Sequence, residues 1–251
     1  APAGFARRDL SMNSRHIGIL QPGHAPDELA QELGDYDACF RQLLAGRGFS
    51  FTTYDVEAGE FPDGPEAADS WLITGSRHGA YEDHDWIPQL EDLIRAIHQS
   101  ERPLIGVCFG HQIIAQALGG QVERSPRGFT AGPETYRGFG HEKLVLNAWH
   151  QDQVTMAPKG LEVVASSSGC PIAGLHLPGR ILTCQPHPEI DPDYLAGIVK
   201  LRGYVLNDTQ RAELPKRIET MPLDASKAAD LFAMFLSGEE LGMLLPGNAE
   251  A

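Results

Sequence analysis

The segment 102–120 constrains the fold more than any other part of the chain. It reads Arg-Pro-Leu-Ile-Gly-Val-Cys-Phe-Gly-His-Gln-Ile-Ile-Ala-Gln-Ala-Leu-Gly-Gly, an apolar strand that runs straight into a helix. Gly106 and Gly110 flank Cys108 two positions away on each side, where a sharp turn leaves no room for side chains. The segment therefore predicts a strand, a strained turn and a helix, with Cys108 at the turn.

Cys108 has the sequence environment of a nucleophile. Small neighbours let the thiol project from the turn, and the positive end of the following helix dipole favours the thiolate, which is the reactive form. An unpaired cysteine is more often a small buried hydrophobe, and we adopt that interpretation for Cys39, Cys170 and Cys184. Cys108 differs because two glycines and a helix start converge on it.

A base for Cys108 is found in a second segment, Ile-Leu-Thr-Cys-Gln-Pro-His-Pro-Glu-Ile, at residues 181–190. A short apolar strand ends there at His187, which lies between two prolines, and Glu189 can orient its imidazole. Because the carboxyl ends of parallel strands meet at one edge of a sheet, His187 and Cys108 are expected to meet there. An isolated His-Pro-Glu is more typical of a solvated surface loop, but together with the cysteine turn it predicts a triad.

The two segments, Gly-Val-Cys-Phe-Gly-His-Gln and Gln-Pro-His-Pro-Glu, together resemble the class I (triad) glutamine amidotransferases. The resemblance extends from about residue 16 to about residue 236. It implies that Cys108 is the nucleophile, His187 the base and then the acid, and Glu189 the orienting carboxylate. The whole pattern looks most like the free-standing branch of the family, which includes GMP-synthase-type glutaminases, plant γ-glutamyl peptidases and their bacterial relatives.

The resemblance also implies an oxyanion hole. Thr-Gly-Ser at residues 74–76 stands where the family usually has Gly-Gly-Pro. The backbone N–H of Gly75 or Ser76, together with that of Phe109, would then hold the oxyanion. Taken alone, this segment would be an ordinary strand-to-loop turn.

Substrate-binding residues are implied in the same way. Gln112 falls on the position that contacts the glutamyl group in the family, although by itself it is equally typical of an exposed helix face. Trp149-His150-Gln151 resembles the start of the family's Ser-His-Gly-Asp or Asn-His-Gly-Phe substrate loop. We expect the bulk of Trp149 and Gln151 to reshape the pocket beyond what free glutamine needs.

Three functions follow from the resemblance. The first is a hydrolase of γ-glutamyl amide bonds, in glutamine or in a γ-glutamyl amine or peptide, through a γ-glutamyl thioester. The second is a glutaminase subunit that delivers ammonia to a separate synthase, because this chain has no Ser-Gly-Gly-x-Asp-Ser loop of an ATP pyrophosphatase. The third, a non-catalytic binding module, is disfavoured because all three triad residues are present.

Composition excludes several other classes. The chain has 251 residues, within the range of one α/β domain, and a net charge of −14, which argues against nucleic acid or an anionic membrane as partner. No apolar run is long enough for a membrane helix, and the first ten residues lack a signal-peptide core, so the cytoplasm is the expected location. Four irregularly spaced cysteines predict neither a disulfide framework nor a zinc site.

No cofactor is expected, because the chain lacks a phosphate-binding loop and a dinucleotide fingerprint. His78, Asp83, His84 and Asp85 could suggest a metal site. Their spacing follows neither a helix nor a strand face, so we interpret them as a polar loop over the active site and expect no metal.

Strand and helix patterns alternate and predict a doubly wound, mostly parallel α/β sheet flanked by helices, flavodoxin-like, with a small antiparallel extension. We expect an N-terminal tail at 1–15, one amidotransferase-like domain at 16–237 and a C-terminal tail at 238–251. The predicted helices are 35–46, 86–99, 194–206 and 224–236, the last capped by Asp224. The predicted parallel strands are 16–20, 49–56, 70–74 and 103–107. The short strands 143–147, 161–165, 172–177 and 181–185 follow, and a polar segment precedes residue 223.

Overall fold

The computed structural model describes residues 14–242 and 244, which form a nine-stranded mixed sheet with helices on both faces and a separate two-stranded ribbon. The strands are β1 (Arg15–Gln21), β2 (Phe49–Asp55), β3 (Ser70–Ile73), β4 (Leu104–Val107), β5 (Gln121–Arg124), β6 (Thr130–Gly138), β7 (His141–His150), β8 (Asp152–Met156), β9 (Glu162–Ser166), β10 (Gly174–Leu177) and β11 (Ile181–Cys184). The helices are α1 (Asp27–Leu33), α2 (Tyr36–Leu43), α3 (Trp86–Gln99), α4 (Phe109–Ala117), α5 (Pro192–Arg202), α6 (Asp208–Thr220) and α7 (Ala225–Leu236).

One half of the large sheet is parallel. Its strand order is β2-β1-β3-β4-β11, and every neighbouring pair in it runs in the same direction. Strands β3, β4 and β11 are therefore adjacent and end at the same edge. This places the residues that follow them, which include Gly75, Cys108 and His187, within reach of one another.

Successive residues of the parallel strands face opposite layers, as strand geometry requires. Leu72 belongs to the same buried cluster as Phe40 of α2 and Phe232 of α7. Its neighbour Ile73 belongs to the cluster that contains Ile94 of α3 and the apolar side chains of α4. Helices thus cover both faces, which explains why β3 and β4 are fully buried and, apart from Ser70, contain no polar side chain.

The other half of the sheet is antiparallel and continues from β11 in the order β10-β9-β6-β7, while β5 and β8 form the separate ribbon. This confirms the predicted fold class, a doubly wound, mostly parallel arrangement with an antiparallel extension. The extension is larger than expected, because β5, β6 and β8 were not recognised in the sequence. Strand β6 contains two left-handed glycines and a proline, which blur the alternation that identifies strands.

Two details of the C-terminal part were predicted wrongly. The polar segment before residue 223 contains helix α6, whose capping box joins Asn207 and Gln210 and whose buried residue is Leu214. So little of this helix is apolar that its pattern did not reveal it. Asp224 does not cap α7 with its side chain, because its carboxylate accepts a hydrogen bond from the Val145 N–H at 2.9 Å.

The predicted tails lie mostly outside the described residues. Within those residues, Arg15 already belongs to β1, and Leu244 is buried in the same apolar cluster as α7. Helix α3 matches its predicted bounds, whereas α5 is shorter than predicted at its C-terminal end, where a 3₁₀ turn follows at Gly203–Val205. Across residues 14–242 and 244, every helix is too short or too polar to span a lipid bilayer.

Candidate active site

Cys108 occupies the predicted turn between β4 and α4. Its backbone has φ 53° and ψ −105°, a combination that is strained for a residue with a side chain. A Cβ at position 106 would collide with the Gly110 carbonyl, and one at position 110 would collide with the Ile73 carbonyl. Both glycines are therefore required by close approach of the backbone, and the turn presents a 6% exposed thiol at the N-terminus of α4.

His187 and Glu189 lie in the loop after β11, beside the cysteine. The His187 Nδ1–H donates a hydrogen bond to Glu189 Oε1 at 2.7 Å, and both side chains are buried. The opposite ring nitrogen, Nε2, is also buried and has no hydrogen-bond partner among the described residues. That nitrogen is available to a group in the cleft, while the carboxylate fixes the ring.

The charge state of His187 is set by opposing effects. Burial alone lowers its pKa, but the negative charge of Glu189 and, after it, the neighbouring Cys108 outweigh burial and raise the pKa of His187 well above its usual value. The imidazolium form is therefore favoured near neutral pH. An imidazolium beside Cys108 is the partner that a thiolate nucleophile needs.

Asn147 on β7 anchors the loop that carries His187, and the sequence analysis did not identify it. Its carbonyl accepts from the His187 N–H at 2.7 Å, and its side-chain Nδ2 donates to the Ile190 carbonyl at 2.8 Å. These bonds bracket Glu189 on both sides. No local sequence pattern connects β7 with this loop, since the antiparallel extension brings them together.

The three other cysteines are buried and free of disulfides, which supports their structural interpretation. Burial raises the pKa of Cys39 and of Cys170 to about 12, and it raises the pKa of Cys184 well above its usual value. These thiols are therefore poor nucleophiles.

The segment predicted to form the oxyanion hole lies against the triad. A Cβ at Gly75 would be 3.1 Å from His187 Cε1 and 3.7 Å from the Cys108 Cβ. The Ser76 hydroxyl donates to the Pro22 carbonyl at 2.8 Å, which fixes the turn after β3. Phe109 provides the first N–H of α4, a group without an acceptor inside its own helix.

Gln112 is buried, so it does not lie on an exposed helix face. Its Nε2 donates to the Asp152 carbonyl at 2.9 Å and to Gln185 Oε1 at 3.1 Å. It thereby connects helix α4 to the start of β8 and to the residue after β11, and it lines the same cleft as Cys108. The helix position predicted to contact substrate is thus held in place before any substrate arrives.

The three residues of the predicted substrate loop all line the cleft. His150 is buried, and burial followed by the charge of His187 lowers its pKa to about 4, so it is neutral at pH 7. Trp149 packs edge-on against Phe129 with ring centroids 5.0 Å apart. Gln151 accepts from the Arg124 guanidinium at 2.9 Å.

The cleft above the triad has a volume of about 530 Å³, within the range of small-molecule sites. Its lining includes several residues that the sequence analysis did not identify: Tyr36, Tyr81, Arg124, Phe129, Arg202 and Tyr204. They come from loops, α2, α5 and the two-stranded ribbon, so no shared local pattern could have revealed them.

The loop after the oxyanion segment is more organised than its sequence spacing indicated. His78 and His84 lie with ring centroids 4.4 Å apart, and both contact the carboxylate of Glu82. As expected from their spacing, no helix or strand aligns these histidines; the packing of the loop brings them together. Neither Asp83 nor Asp85 belongs to the group, and Glu82, which the sequence analysis did not consider, does.

The family model of the class I glutamine amidotransferases matches residues 53–195, more than half of the chain. The chain belongs to the class I glutamine amidotransferase family. Hydrolysis of a glutamine-type amide is thereby supported at the level of the family.

Two curated relatives belong to different branches. The chain is 33% identical over 183 residues to γ-glutamyl peptidase 4 of Arabidopsis thaliana, covering 66% of this chain and 72% of that protein. It is 29% identical over 160 residues to the GMP synthase of Chlamydia caviae, covering 60% of this chain and 30% of the synthase. A solved glutamine amidotransferase of Methylobacillus flagellatus shares the fold with a TM-score of 0.72 at 21% identity, covering 94% of this chain and 98% of that one.

Proposed function

We propose that this amidotransferase homologue is a cysteine hydrolase of γ-glutamyl amide bonds that works without a synthase. The observation that carries the proposal is the buried group of Cys108, His187 and Glu189 at the floor of an open cleft. The strained turn, the oriented imidazole and the predicted oxyanion segment meet at one point. No packing requirement explains all of these features together.

The reaction proceeds in two halves. The Cys108 Sγ attacks the γ-carbonyl carbon, and the N–H groups of Phe109 and of Gly75 or Ser76 hold the resulting oxyanion. The His187 Nε2–H protonates the leaving amine, the C–N bond breaks, and a γ-glutamyl thioester remains. Water then attacks the thioester while Nε2 removes its proton, the C–S bond breaks, and glutamate leaves as the Cys108 thiolate and the His187 imidazolium are restored.

A γ-glutamyl amine or peptide fits the cleft better than glutamine does. Glutamine needs room for no more than an NH₂ group beyond its γ-carbonyl. The cleft additionally holds the aromatic pair Phe129 and Trp149 and the guanidinium groups of Arg124 and Arg202. An apolar or anionic leaving group can bind to these side chains.

The test is release of glutamate by the purified protein alone, from glutamine, from γ-glutamyl amines and from γ-glutamyl dipeptides. We expect turnover of a conjugate to exceed that of glutamine, and Cys108→Ala to abolish both. Cys170→Ala is the matched control, because that thiol is buried away from the cleft and its loss leaves the triad intact.

Two other results would be decisive. Normal turnover by Cys108→Ala would refute the assignment of the nucleophile. The protein could also release no glutamate from any of these substrates while its Cys108 is still alkylated by a glutamine-mimicking electrophile. That result would identify a glutaminase subunit that requires a separate synthase.

A further inference from the structure

A group of two histidines and a carboxylate lies at the rim of the cleft, in the loop between β3 and α3. The Glu82 Oε2 atom is 3.2 Å from His78 Nδ1 and 2.8 Å from His84 Nε2. One ligand atom from each of these residues lies within 4.8 Å of the other two. His78 and Glu82 also line the cleft that contains the triad.

A second carboxylate outside this group fixes His78. The His78 Nε2 atom lies 2.9 Å from Glu57 Oε1 and 3.4 Å from Arg77 Nε, and the other ring nitrogen, Nδ1, faces Glu82. Neutral imidazole has only one N–H, whereas both ring nitrogens here face carboxylate oxygens. A cation between His78 Nδ1 and the Glu82 carboxylate would interact favourably with both groups. Glu57 would then be the outer carboxylate that holds the metal-bound histidine, an arrangement common at protein metal sites.

Packing holds both histidine rings in place. The His84 ring stacks on Trp86, with an interplanar angle of 7° and a centroid distance of 5.6 Å. The same tryptophan contacts the edge of the His78 ring at 5.6 Å, and it is itself buried against Phe109. The donors are therefore preorganised, which reduces the cost of ordering them around an ion.

The geometry points to a site for a divalent transition metal of the zinc class, bound by His78 Nδ1, His84 Nε2 and the Glu82 carboxylate. Two imidazole nitrogens and one carboxylate form a set that suits Zn²⁺, with water in the remaining position. The side chains of His84 and Glu82 are 35% and 43% exposed, so an ion can enter from solvent. The sequence-based expectation of no metal is revised accordingly.

Such an ion would stabilise the loop that follows the oxyanion segment. The His78 N–H donates to the Ser76 hydroxyl at 3.0 Å, so fixing His78 also fixes the turn after β3. This inference does not depend on the proposed hydrolysis, since it concerns binding alone.

Zinc binding is measured by calorimetric titration of tag-free protein, and Co²⁺ absorption reports the ligand set. Both are performed on the native chain and on Cys108→Ala, because a reactive thiolate also binds zinc. We expect one ion per chain in each, with affinity at least tenfold weaker in His78→Ala and in His84→Gln. Glu57→Gln should weaken binding by about 10- to 100-fold, as removal of an outer carboxylate does at other sites.

His141→Ala is the matched control, because that histidine is exposed on the β6–β7 hairpin and outside the group. Its affinity should equal that of the parent. Equal zinc affinity in the parent, His78→Ala and His84→Gln would overturn the proposal, as would binding that disappears entirely in Cys108→Ala. Circular dichroism on each variant separates loss of ligands from loss of folding, and His84→Gln preserves the polar contact with Glu82 if His78→Ala does not fold.

Discussion

Replacing Glu189 with glutamine tests how far the proposed reaction depends on one buried carboxylate. The variant keeps the size of the side chain and an oxygen that can accept from His187 Nδ1. It removes the negative charge from a 2.7 Å hydrogen bond whose two side chains are only 8% and 2% exposed. Because water hardly reaches this pair, solvent cannot replace the lost interaction.

The expected magnitude follows from that bond. A hydrogen bond to a charged group contributes about 1.5–3 kcal/mol, and each 1.36 kcal/mol in a barrier changes a rate tenfold. Loss of the charge should therefore lower kcat/KM by about 10- to 150-fold. The KM should change less than kcat, because Glu189 does not line the cleft.

The pH dependence should change as well. Burial lowers the pKa of His187 and the Glu189 charge is the largest influence that raises it, so the pKa falls in the variant. The imidazolium that protonates the leaving amine is then lost at a lower pH, and the alkaline limb of kcat/KM moves toward acid. In Glu60→Gln, a control at an exposed position, neither kcat/KM nor the pH of its alkaline limb should change. An unchanged alkaline limb in Glu189→Gln would refute the assigned role of this carboxylate.

Three further outcomes are expected. Gly110→Ala should lower the free energy of unfolding by about 1–3 kcal/mol, because the new Cβ collides with the backbone, and it should lower the Tm in calorimetry by roughly 2–12 °C. Gly169→Ala should leave the Tm unchanged, because no atom lies within 4 Å of the position of its Cβ. Asn147→Ala leaves the buried Ile190 carbonyl without its donor, so the free energy of unfolding from urea titration should fall by about 1–3 kcal/mol; an unchanged midpoint would contradict this. Burial lowers the pKa of His111 to about 3, so the unfolded chain binds the extra proton and stability falls as pH drops below about 6.5. The free energy of unfolding should fall by up to about 1.4 kcal/mol per pH unit, and this fall should be shallower in His111→Gln. If the free energy of unfolding from urea titrations depends on pH equally in both proteins, the prediction is wrong.

The buried half of the fold could be read from the sequence because its signals are local. Strands β3, β4 and β11 are short apolar runs, and α3 carries apolar residues at helical spacing up to its observed end at Gln99. The two glycines around Cys108 predict that backbone segments approach closely there, and the structure confirms this prediction. By contrast, α6 and the ribbon strand β5 are mostly exposed, so their patterns are weak.

The sequence by itself predicted that Cys108, His187 and Glu189 act together, because a cysteine on a glycine-flanked turn and a histidine between prolines are features of a few adjacent residues. Only the tertiary structure decided what surrounds them. Asn147 and Glu57 reach their partners through sheet pairing and loop packing. Glu57 contacts His78, 21 residues away in the chain, and Asn147 contacts His187, 40 residues away. Such contacts depend on the order of the strands in the sheet and on loop packing. Neither can be predicted from any single segment of the chain.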